Sequence, residues 1–487
     1  MNEGKEVNRR KFMKSAAAAV ASTQLWGRKG AQAEESSSGR PNFLFMIADD
    51  LTFRSIHSLN NSQVQTPNLD RLRKRGCTFT RCFHQGSWSG AVCIASRTML
   101  NTGLTAFRAQ RRAEETPLWG QTLGEAGYDT SIIGKWHLSD ANLHRSFKEL
   151  GPVSGGMFES GPSAYNRPSP GNTWTPWDES LKGQWLNTRI WQKTERDGIK
   201  HSARIWAEGA SDYLRRRSGN DRPFFLYVGF NSPHDPRQAP KDFVDLYPQE
   251  RIEIPPNYLP EHPFDQGDRR IRDELLAPFP RTREAVQLHR SEYYAHITYM
   301  DAQIGLILDA VEEPRRAGNT YVIFATDHGL AVGQHGLMGK QNLYDHSIRM
   351  PLMISGPGIP AGKQVDHIVY QHSVFATTCE LAGVPVPTSV EFPSLVDLLK
   401  GEGREKYDAM FSWYRSFQRA VRTEEHKLIV YPQAGVTQLF DLQKDPWETQ
   451  NLADRREYAA LRKHLLKRLH RFQRELEDDL GPVAAQG

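Results

Sequence analysis

Cysteine is scarce in this chain, and long apolar runs are missing. Four cysteines occur among 487 residues, namely Cys77, Cys82, Cys93 and Cys379. Such low use argues against a scaffold built on disulfides. Cys77 and Cys82 could pair with each other, but we expect both to be free, partly buried thiols. No stretch approaches the ~18 apolar residues of a membrane-spanning helix, so we expect no membrane span.

A basic surplus is also missing from most of the chain. The 62 Lys and Arg and 57 Asp and Glu of the full sequence include seven basic and two acidic residues within 1–33. Basic and acidic residues are therefore equal in number beyond residue 33. Proteins that bind nucleic acid carry a basic surplus, so nucleic acid is not an expected partner. Attraction of an anionic ligand must come from local charge.

The N-terminus has the pattern of an export signal. Residues 8–14 contain a twin arginine, residues 15–25 form a short apolar stretch, and Ala31-Gln32-Ala33 matches a small-residue cleavage site. We predict a twin-arginine signal peptide over 1–33, a Ser/Gly linker over 34–40, and a bacterial periplasmic or secreted protein. The alternative is a disordered basic tail or an amphipathic helix.

Four apolar runs each end in residues that could bind a metal or an oxyanion. Continuous apolar runs of this length are typical of strands buried on both faces. Ligands bind at the carboxyl ends of such strands in open α/β sheets, so we expect the following polar residues to converge on one site. The runs and the residues after them are 42–48 with Asp49 and Asp50, 130–134 with Lys135 and His137, 224–230 with His234, and 321–326 with Asp327 and His328.

A change of pattern near residue 400 predicts two structural units. The first, over 41–400, carries these strand ends with helical stretches between them, and is typical of one large α/β domain. Within it, residues 291–312 and 373–383 have the pattern of helices. The second, over 401–487, contains short alternating segments that predict a small antiparallel sheet, followed by a charged helix over 454–479. The alternating segments are 409–414, 418–422, 426–431 and 438–442.

Residues 151–200 form an irregular stretch that is rich in Gly, Pro and Ser. It contains Trp174, Trp177, Trp185 and Trp191. A loop of this length is usually functional or disordered, but the tryptophans favour an ordered insertion. Their rings either pack a small core within the insertion, or one or two of them stack on sugar rings beside the site.

An ordered set of motifs resembles the formylglycine-dependent sulfatase family, within the alkaline-phosphatase-like superfamily. Each motif alone is moderately specific, whereas the ordered set, over about residues 42 to 450, is highly specific. The resemblance implies a large mixed sheet flanked by helices, with a smaller C-terminal sheet-plus-helix domain. The motifs are Asp49-Asp50, the CxAxR run from Cys93 to Arg97 with its continuation to Gly103, 127–137, 232–236, 327–329 and 336–340.

In that family the cysteine of the CxAxR run is oxidised to formylglycine by a maturation enzyme. The resemblance implies this change at Cys93, although Ala95 stands where many members carry proline. One hydroxyl of the aldehyde hydrate attacks sulfur, and the other expels sulfate as the aldehyde reforms. A thiol could not do this, because its sulfated intermediate would have no easy exit.

The resemblance also assigns the other site residues. One Ca²⁺ is implied, since clustered carboxylates are the ligands that this ion prefers. Arg97 and Lys135 would hold the hydrate and a sulfate oxygen, and His137 would be the base for elimination. Lys340 and His234 would face the sulfate and the bridging oxygen, with His234 as the general acid. The implied metal ligands are Asp49, Asp50, Cys93, Asp327 and His328; whether His328 ligates directly stays open, because imidazole is a softer donor. His335 could bind substrate or support the site, or could serve a structural turn; both interpretations stay open.

The sequence therefore predicts an exported sulfatase that hydrolyses sulfate monoesters, with a sulfated carbohydrate as the expected substrate. One alternative is a phosphomonoester, phosphodiester or phosphonate hydrolase of the same superfamily, and relative turnover of aryl sulfates, phosphates and phosphonates discriminates the two. Another is a carbohydrate-binding protein with a decayed site, which predicts missing site residues; none is missing.

Overall fold

The computed structural model describes residues 39–156, 201–217, 222–313 and 318–484. The predicted signal peptide over 1–33 and the four tryptophans of the insertion lie outside the described residues, as does most of the linker. The described residues from Arg40 onward belong to one compact unit. The division of the chain near residue 400 stays a prediction.

Eight strands form the large sheet, in the order β5-β4-β6-β1-β7-β8-β2-β9. They are β1 Asn42–Asp49, β2 Cys77–Phe83, β4 Asp129–Lys135, β5 Glu149–Ser154, β6 Phe224–Pro233, β7 Thr320–Thr326, β8 Arg349–Ser355 and β9 Lys363–Tyr370. Strand β1 pairs in parallel with β6 and β7, and β6 pairs in parallel with β4. Strand β8 is antiparallel to both of its neighbours, so the sheet is mixed. The four strands predicted from apolar runs are β1, β4, β6 and β7, and all four are confirmed.

The helices are α1 Pro67–Arg75, α2 Val92–Thr102, α3 Ala106–Arg112, α4 Trp119–Glu125, α5 Asp140–Ser146, α6 Ser202–Arg216, α7 Lys241–Val244, α8 Arg283–Val311, α9 Asp345–Ile348, α10 Val374–Leu381, α11 Val396–Lys400 and α12 Ala459–Glu475. Helix α8 begins at Arg283, well before the predicted residue 291, because the side chain of Thr282 caps it by accepting a hydrogen bond from Ala285 N at 3.1 Å. Helix α12 begins later than predicted, since residues Arg456–Tyr458 form a separate 3₁₀ turn. In the described part of the chain, no helix combines the length and the apolar character that a membrane crossing requires.

Helices cover both faces of the large sheet, as alternation along β1 illustrates. Leu44 and Met46 pack into a core that α1, α6 and α8 share. Phe43 and Phe45 point the other way, into a core that includes Trp119 of α4. Because successive side chains of a strand point to opposite faces, a strand covered on both faces is apolar throughout. This explains why the runs in the sequence were continuous.

A second sheet has the strand order β13-β12-β11-β10-β3. Its strands are β3 Gly86–Ser87, β10 Met410–Tyr414, β11 Gln418–Arg422, β12 His426–Tyr431 and β13 Val436–Asp441. The antiparallel sheet predicted after residue 400 is confirmed in β10 to β13. No sequence pattern indicated β3, which is two residues long and pairs in parallel with β10. Strand β3 ends shortly before α2, so it ties the second sheet to the start of that helix.

Candidate active site

The polar residues that follow the strands meet at one edge of the large sheet. Asp49 ends β1 and Lys135 ends β4. His234 follows β6, and Asp327 follows β7. The backbone turns sharply after β1, where Asp50 has a φ of 72°. Because these four strands are parallel, their carboxyl ends face the same edge, as the sequence predicted.

Cys93 reaches this edge from the first turn of α2 and is buried. Arg97 lies one turn later, on the same side of the helix. Its Nε donates to Asp327 Oδ2 at 2.9 Å, and its Nη1 donates to the Lys135 carbonyl oxygen at 3.0 Å. The four-residue spacing of the CxAxR run thus directs both side chains to the strand ends.

Two overlapping groups of ligand atoms converge here, and within each group all atoms lie within 4.8 Å of one another. The groups are Asp49, Cys93, Asp327 and His328, and Asp49, Asp50 and His234. Every metal ligand predicted from the sequence belongs to one of these two groups.

Several atoms of the cluster are buried without a hydrogen-bond partner. They include Asp49 Oδ1, Asp50 Oδ2 and His328 Nε2. His328 Nδ1 lies 3.1 Å from the Gly329 carbonyl oxygen and 3.1 Å from Asp50 Oδ1. Its Nε2 lies 3.5 Å from Asp327 Oδ1 and 3.9 Å from Asp49 Oδ1. Electron-rich atoms that face one another in a buried site fit a bound cation, so the residues present suit a divalent metal.

A lysine stands opposite each of the two aspartates that follow one another after β1. Lys135 Nζ pairs with Asp49 Oδ2. Lys340 Nζ lies 2.9 Å from Asp50 Oδ1 and 3.9 Å from Asp273 Oδ2. Both lysines are buried, so these are charges held inside the protein.

Burial and the neighbouring charges shift the pKa values of the carboxyl groups in different directions. Burial raises the pKa of Asp50 well above its usual range, although Lys340 acts in the opposite direction. Burial also acts to raise the pKa of Asp327, but His328 and Arg97 outweigh it and hold that pKa below its usual range. A divalent cation would favour the ionised form of all these carboxyls.

Two further histidines face the cluster as neutral rings. Burial, and then Lys135, lowers the pKa of His137 to about 3. The Nδ1 of His137 is buried without a partner. Burial, and then Lys340, lowers the pKa of His234 well below its usual value. His234 Nδ1 donates to the Asp235 carbonyl oxygen at 2.8 Å, so its Nε2, which lies 3.8 Å from Asp50 Oδ2, carries the lone pair.

Comparison with known proteins decides the family. The model of the family described as Sulfatase matches residues 41–384. The chain belongs to the sulfatase family. A second model, described as N-sulphoglucosamine sulphohydrolase, C-terminal, matches residues 333–475. As a sulfatase, the protein is an enzyme that hydrolyses sulfate esters.

Individual relatives agree with this assignment. An arylsulfatase of Clostridium perfringens is 28% identical over 463 residues, which cover 88% of this chain and 94% of the relative. An N-acetylglucosamine-6-O-sulfatase of Bacteroides thetaiotaomicron is 23% identical over 522 residues, which cover 92% and 89%.

Two solved structures share the fold. One, in complex with its substrate D-glucosamine-2-N,6-O-disulfate, has a TM-score of 0.70 at 22% identity and covers 90% of this sulfatase and 99% of the other chain. A phosphonate monoester hydrolase from Silicibacter pomeroyi has a TM-score of 0.73 at 21% identity and covers 91% and 96%. The fold predicted from the motifs is confirmed.

His335 is the predicted site residue that the sulfatase does not bring into the cluster. Its ring stacks on Tyr344 with centroids 3.8 Å apart, and its Nε2 lies 3.0 Å from the Glu448 carbonyl oxygen. Its backbone N–H donates to Asn257 O at 2.7 Å. Of the two interpretations left open, these contacts favour the structural turn.

Some residues that support the site carried no signal in the sequence. Gln371 Nε2 donates to Ser96 Oγ at 2.6 Å and to the Asp327 carbonyl oxygen at 3.1 Å, which fixes the turn after β7. Asp273 faces Lys340 and accepts from Gln341 Nε2 at 2.7 Å. Only Ser96 belongs to a motif. Gln371 begins a 3₁₀ turn directly after β9 and Asp273 lies in a loop, and the position of both depends on the whole fold.

Proposed function

We propose that this sulfatase is an exported enzyme that removes sulfate from a sulfated carbohydrate, using formylglycine formed from Cys93 and one bound Ca²⁺. The observation that carries the proposal is the place of Cys93. It lies at the N-terminal turn of α2, within 4.8 Å of ligand atoms of Asp49, Asp327 and His328. A structural thiol would instead be expected among apolar side chains, as Cys379 is.

The cation would be held by the carboxylates of Asp49, Asp50 and Asp327 and by the imidazole of His328. Oxygen-rich ligand sets suit Ca²⁺, and the unpartnered Nε2 of His328 supports direct ligation by this ring. When bound, the metal would supply positive charge beside the sulfate oxygens, and the formylglycine hydrate would supply the attacking hydroxyl. The side chains around them orient the ester and move protons.

Charge at the site suits an anionic ester. Three carboxylates, Asp49, Asp50 and Asp327, are matched by the cationic side chains of Arg97, Lys135 and Lys340. A divalent cation therefore leaves an excess of positive charge for the sulfate group. The Nη2 of Arg97 is buried without a hydrogen-bond partner and can donate to a ligand oxygen. Preorganised donors of this kind stabilise the charge that develops in the transition state.

His234 is our candidate for the acid that protonates the leaving oxygen. Its Nε2 is directed at the cluster because Nδ1 is occupied by the Asp235 carbonyl oxygen. Burial and Lys340 lower its pKa, so the free enzyme holds this ring neutral. A bound anionic ester raises the pKa of a nearby imidazole and would allow the ring to carry a proton. His137, whose Nδ1 lacks a partner, is the candidate base for elimination.

The carbohydrate substrate rests on similarity. The C-terminal match is to a sulphohydrolase that acts on N-sulphoglucosamine by its name, and the relative from Bacteroides thetaiotaomicron is named for a sulfated amino sugar. The position of the sulfate on the sugar is left open by these names. Export rests on the twin-arginine pattern of residues 8–14. Fractionation of a bacterial host should find the mature protein in the periplasm or medium, and replacement of both arginines by lysine should keep it in the cytoplasm.

A phosphonate or phosphate ester hydrolase is the second candidate. It is favoured by the structural likeness to a phosphonate monoester hydrolase. The experiment that separates the two compares turnover of nitrophenyl sulfate, nitrophenyl phosphate and a phenylphosphonate ester, together with a panel of defined sulfated sugars. We expect sulfate esters to react fastest. Faster turnover of the phosphonate would overturn the proposal.

A further inference from the structure

A cavity of about 160 Å³ lies on the other side of the segment that carries Asp50. Its floor includes Thr52 and Tyr293. The Tyr293 hydroxyl donates to the Asp50 carbonyl oxygen, and Thr52 N donates to the Tyr293 oxygen at 3.1 Å. The cavity is thus separated from the candidate active site by the backbone after β1. Exposed residues at its rim, such as Asn60 and Glu253, open it to solvent.

Two arginines line this cavity, and Asp345 and Glu448 act on Arg54 only from beyond ion-pair distance. The Arg54 guanidinium lies over the Trp447 ring, 4.4 Å from its centroid. Arg290 donates to the Tyr294 hydroxyl, and its Nε is buried without a hydrogen-bond partner. Neither guanidinium forms an ion pair with a carboxylate anywhere in the described residues. Unpaired guanidinium groups beside a cavity are suited to hold an anion such as a carboxylate or sulfate.

The rest of the lining is suited to a sugar ring rather than to a bare ion. Trp447 and Tyr294 present aromatic surface, which packs against the apolar face of a sugar. Asn60 supplies a side-chain amide, which can both donate to and accept from hydroxyl groups. The amides of Asn61 and Gln63 also line the cavity, and each makes hydrogen bonds to the protein through both its nitrogen and its oxygen. Asn61 is already oriented, because its Nδ2 donates to the Arg54 carbonyl oxygen at 2.8 Å.

We propose that this cavity is a second saccharide site, which binds one anionic sugar residue and does not hydrolyse it. Arg54 and Arg290 hold the carboxylate or sulfate group, and the aromatic and amide side chains hold the ring. Its volume admits one sugar residue. The proposal does not depend on the hydrolytic function, because binding can be measured in a protein that cannot turn over.

The test uses the full-length Cys93→Ala protein and four probes: glucuronate, glucose 6-sulfate, glucose and inorganic sulfate. Binding is followed by saturation-transfer NMR and calorimetry. We expect both charged sugars to bind more tightly than glucose, and inorganic sulfate to bind more weakly than either. Replacing both arginines, Arg54→Gln with Arg290→Gln, should weaken glucuronate binding by about tenfold or more, as expected for loss of charged hydrogen bonds. Glucuronate is the decisive probe, since it contains no sulfate ester for the catalytic site.

Arg283→Gln is the matched control, because Arg283 is exposed on the same helix, α8, and does not line the cavity. It should leave glucuronate binding unchanged. In the enzyme with Cys93 intact, the double arginine variant should turn over nitrophenyl sulfate at the normal rate. Loss of that turnover would show that the arginines serve the catalytic site, against this proposal.

Three results would overturn the proposal: equal binding of glucose and the charged sugars, equal binding of inorganic sulfate, or glucuronate binding that survives the double substitution. Crystals of the Cys93→Ala protein soaked in glucuronate give a readout that needs no change to the arginines. Density is expected between Arg54 and Arg290, and density only at other places would contradict it.

Discussion

Two clusters of buried charged residues lie beside the sheets of this sulfatase, and they differ in how many of their side-chain atoms lack a hydrogen-bond partner. In the cluster around Asp345, Lys427 Nζ lies 2.6 Å from Asp345 Oδ1 and 2.6 Å from Glu448 Oε1. Arg422 Nε adds a contact to Asp345 at 3.3 Å, and Glu448 Oε2 accepts from Asp345 N at 2.7 Å. Each charge there has an opposite charge beside it.

The cluster around Asp49, Asp50 and Asp327 is built from the same kinds of residue, yet Asp49 Oδ1, Asp50 Oδ2 and His328 Nε2 have no hydrogen-bond partner. Burial of such atoms costs free energy unless something fills the space between them. In the first cluster, which joins α9 to β11 and β12, Glu448 Oε1 also lacks a hydrogen bond, but the ammonium group of Lys427 lies 2.6 Å from it. The second is complete only with a ligand, and this distinguishes a structural ion network from a candidate active site.

The largest expected effect comes from the thiol in the incomplete cluster. Cys93→Ala should abolish turnover of sulfate esters, because the formylglycine proposed to form from Cys93 supplies the attacking hydroxyl, while the melting temperature stays close to that of the parent. Steady-state rates and thermal unfolding check both statements. Cys379→Ala is the control, since this thiol is buried among apolar side chains and its loss should spare turnover. Full activity of Cys93→Ala would refute the proposed nucleophile.

The loss of turnover on removing His234 should depend on how good the leaving group is. An alkoxide is a poor leaving group and needs a proton, whereas an acidic nitrophenol needs little help. His234→Ala should therefore cut turnover of sugar sulfates by roughly 10²–10⁴-fold and turnover of nitrophenyl sulfate much less. Parallel kinetics on the two substrates measure the ratio. Equal losses would assign the acid elsewhere, with Lys340 as the next candidate.

A pair of lysine substitutions compares the two clusters directly. Lys427→Met leaves Asp345 and Glu448 buried near each other without their shared cation, and should cost about 3–5 kcal/mol of unfolding free energy. Turnover per folded molecule should stay near normal. Lys340→Met should have the reverse pattern, with a large loss of turnover and a smaller loss of stability, because the bound cation still faces Asp50. Denaturant unfolding and active-site titration give the two quantities. Identical patterns in both variants would remove the distinction between the clusters.

Removal of the cation should weaken only the incomplete cluster. A strong chelator should lower both activity and melting temperature, since a ligand bound only by the native state adds about 2.7 kcal/mol at a concentration 100 times its Kd. Added Ca²⁺ should restore both, and elemental analysis should find one ion per chain. A metal-free preparation with unchanged activity and stability would contradict the proposed site. A stoichiometric transition metal would favour the phosphoesterase alternative.

The smallest expected effect on turnover concerns a buried carboxyl that is held by neutral donors alone. Asp301 accepts hydrogen bonds from Leu69 N at 2.8 Å and Asn68 N at 3.0 Å. Burial outweighs these bonds and raises the pKa of Asp301 to about 7. A raised pKa in the folded state adds stability that is fully present below the unfolded value, near pH 4, and is lost as the pH rises through about 7. Stability curves between pH 4 and 8 should therefore fall less steeply with pH in Asp301→Asn than in the parent. Parallel curves would show that Asp301 stays ionised.

Sequence patterns predicted four strands of the large sheet and most of the cluster, because both can be inferred from short segments of the chain. Each of β1, β4, β6 and β7 is a continuous apolar run. Because these strands are parallel, the residues that follow them lie at the same edge of the sheet. What the sequence could not show depends on contacts distant in the chain. Strand β3 is too short to have a pattern, and Gln371 and the arginine pair of the second cavity acquire their neighbours only through folding. His335 lay close to Lys340 in sequence, but its turn directs the ring to Tyr344 instead.

The central claim, formylglycine at residue 93, is tested most directly by the mass of one peptide. Trypsin releases residues 82–97 as a single peptide that contains both Cys82 and Cys93, so fragment ions must locate the change. In protein produced together with a formylglycine-generating enzyme, we predict an aldehyde at position 93 and an unmodified thiol at position 82. Fully active enzyme with thiols at both positions would contradict the account.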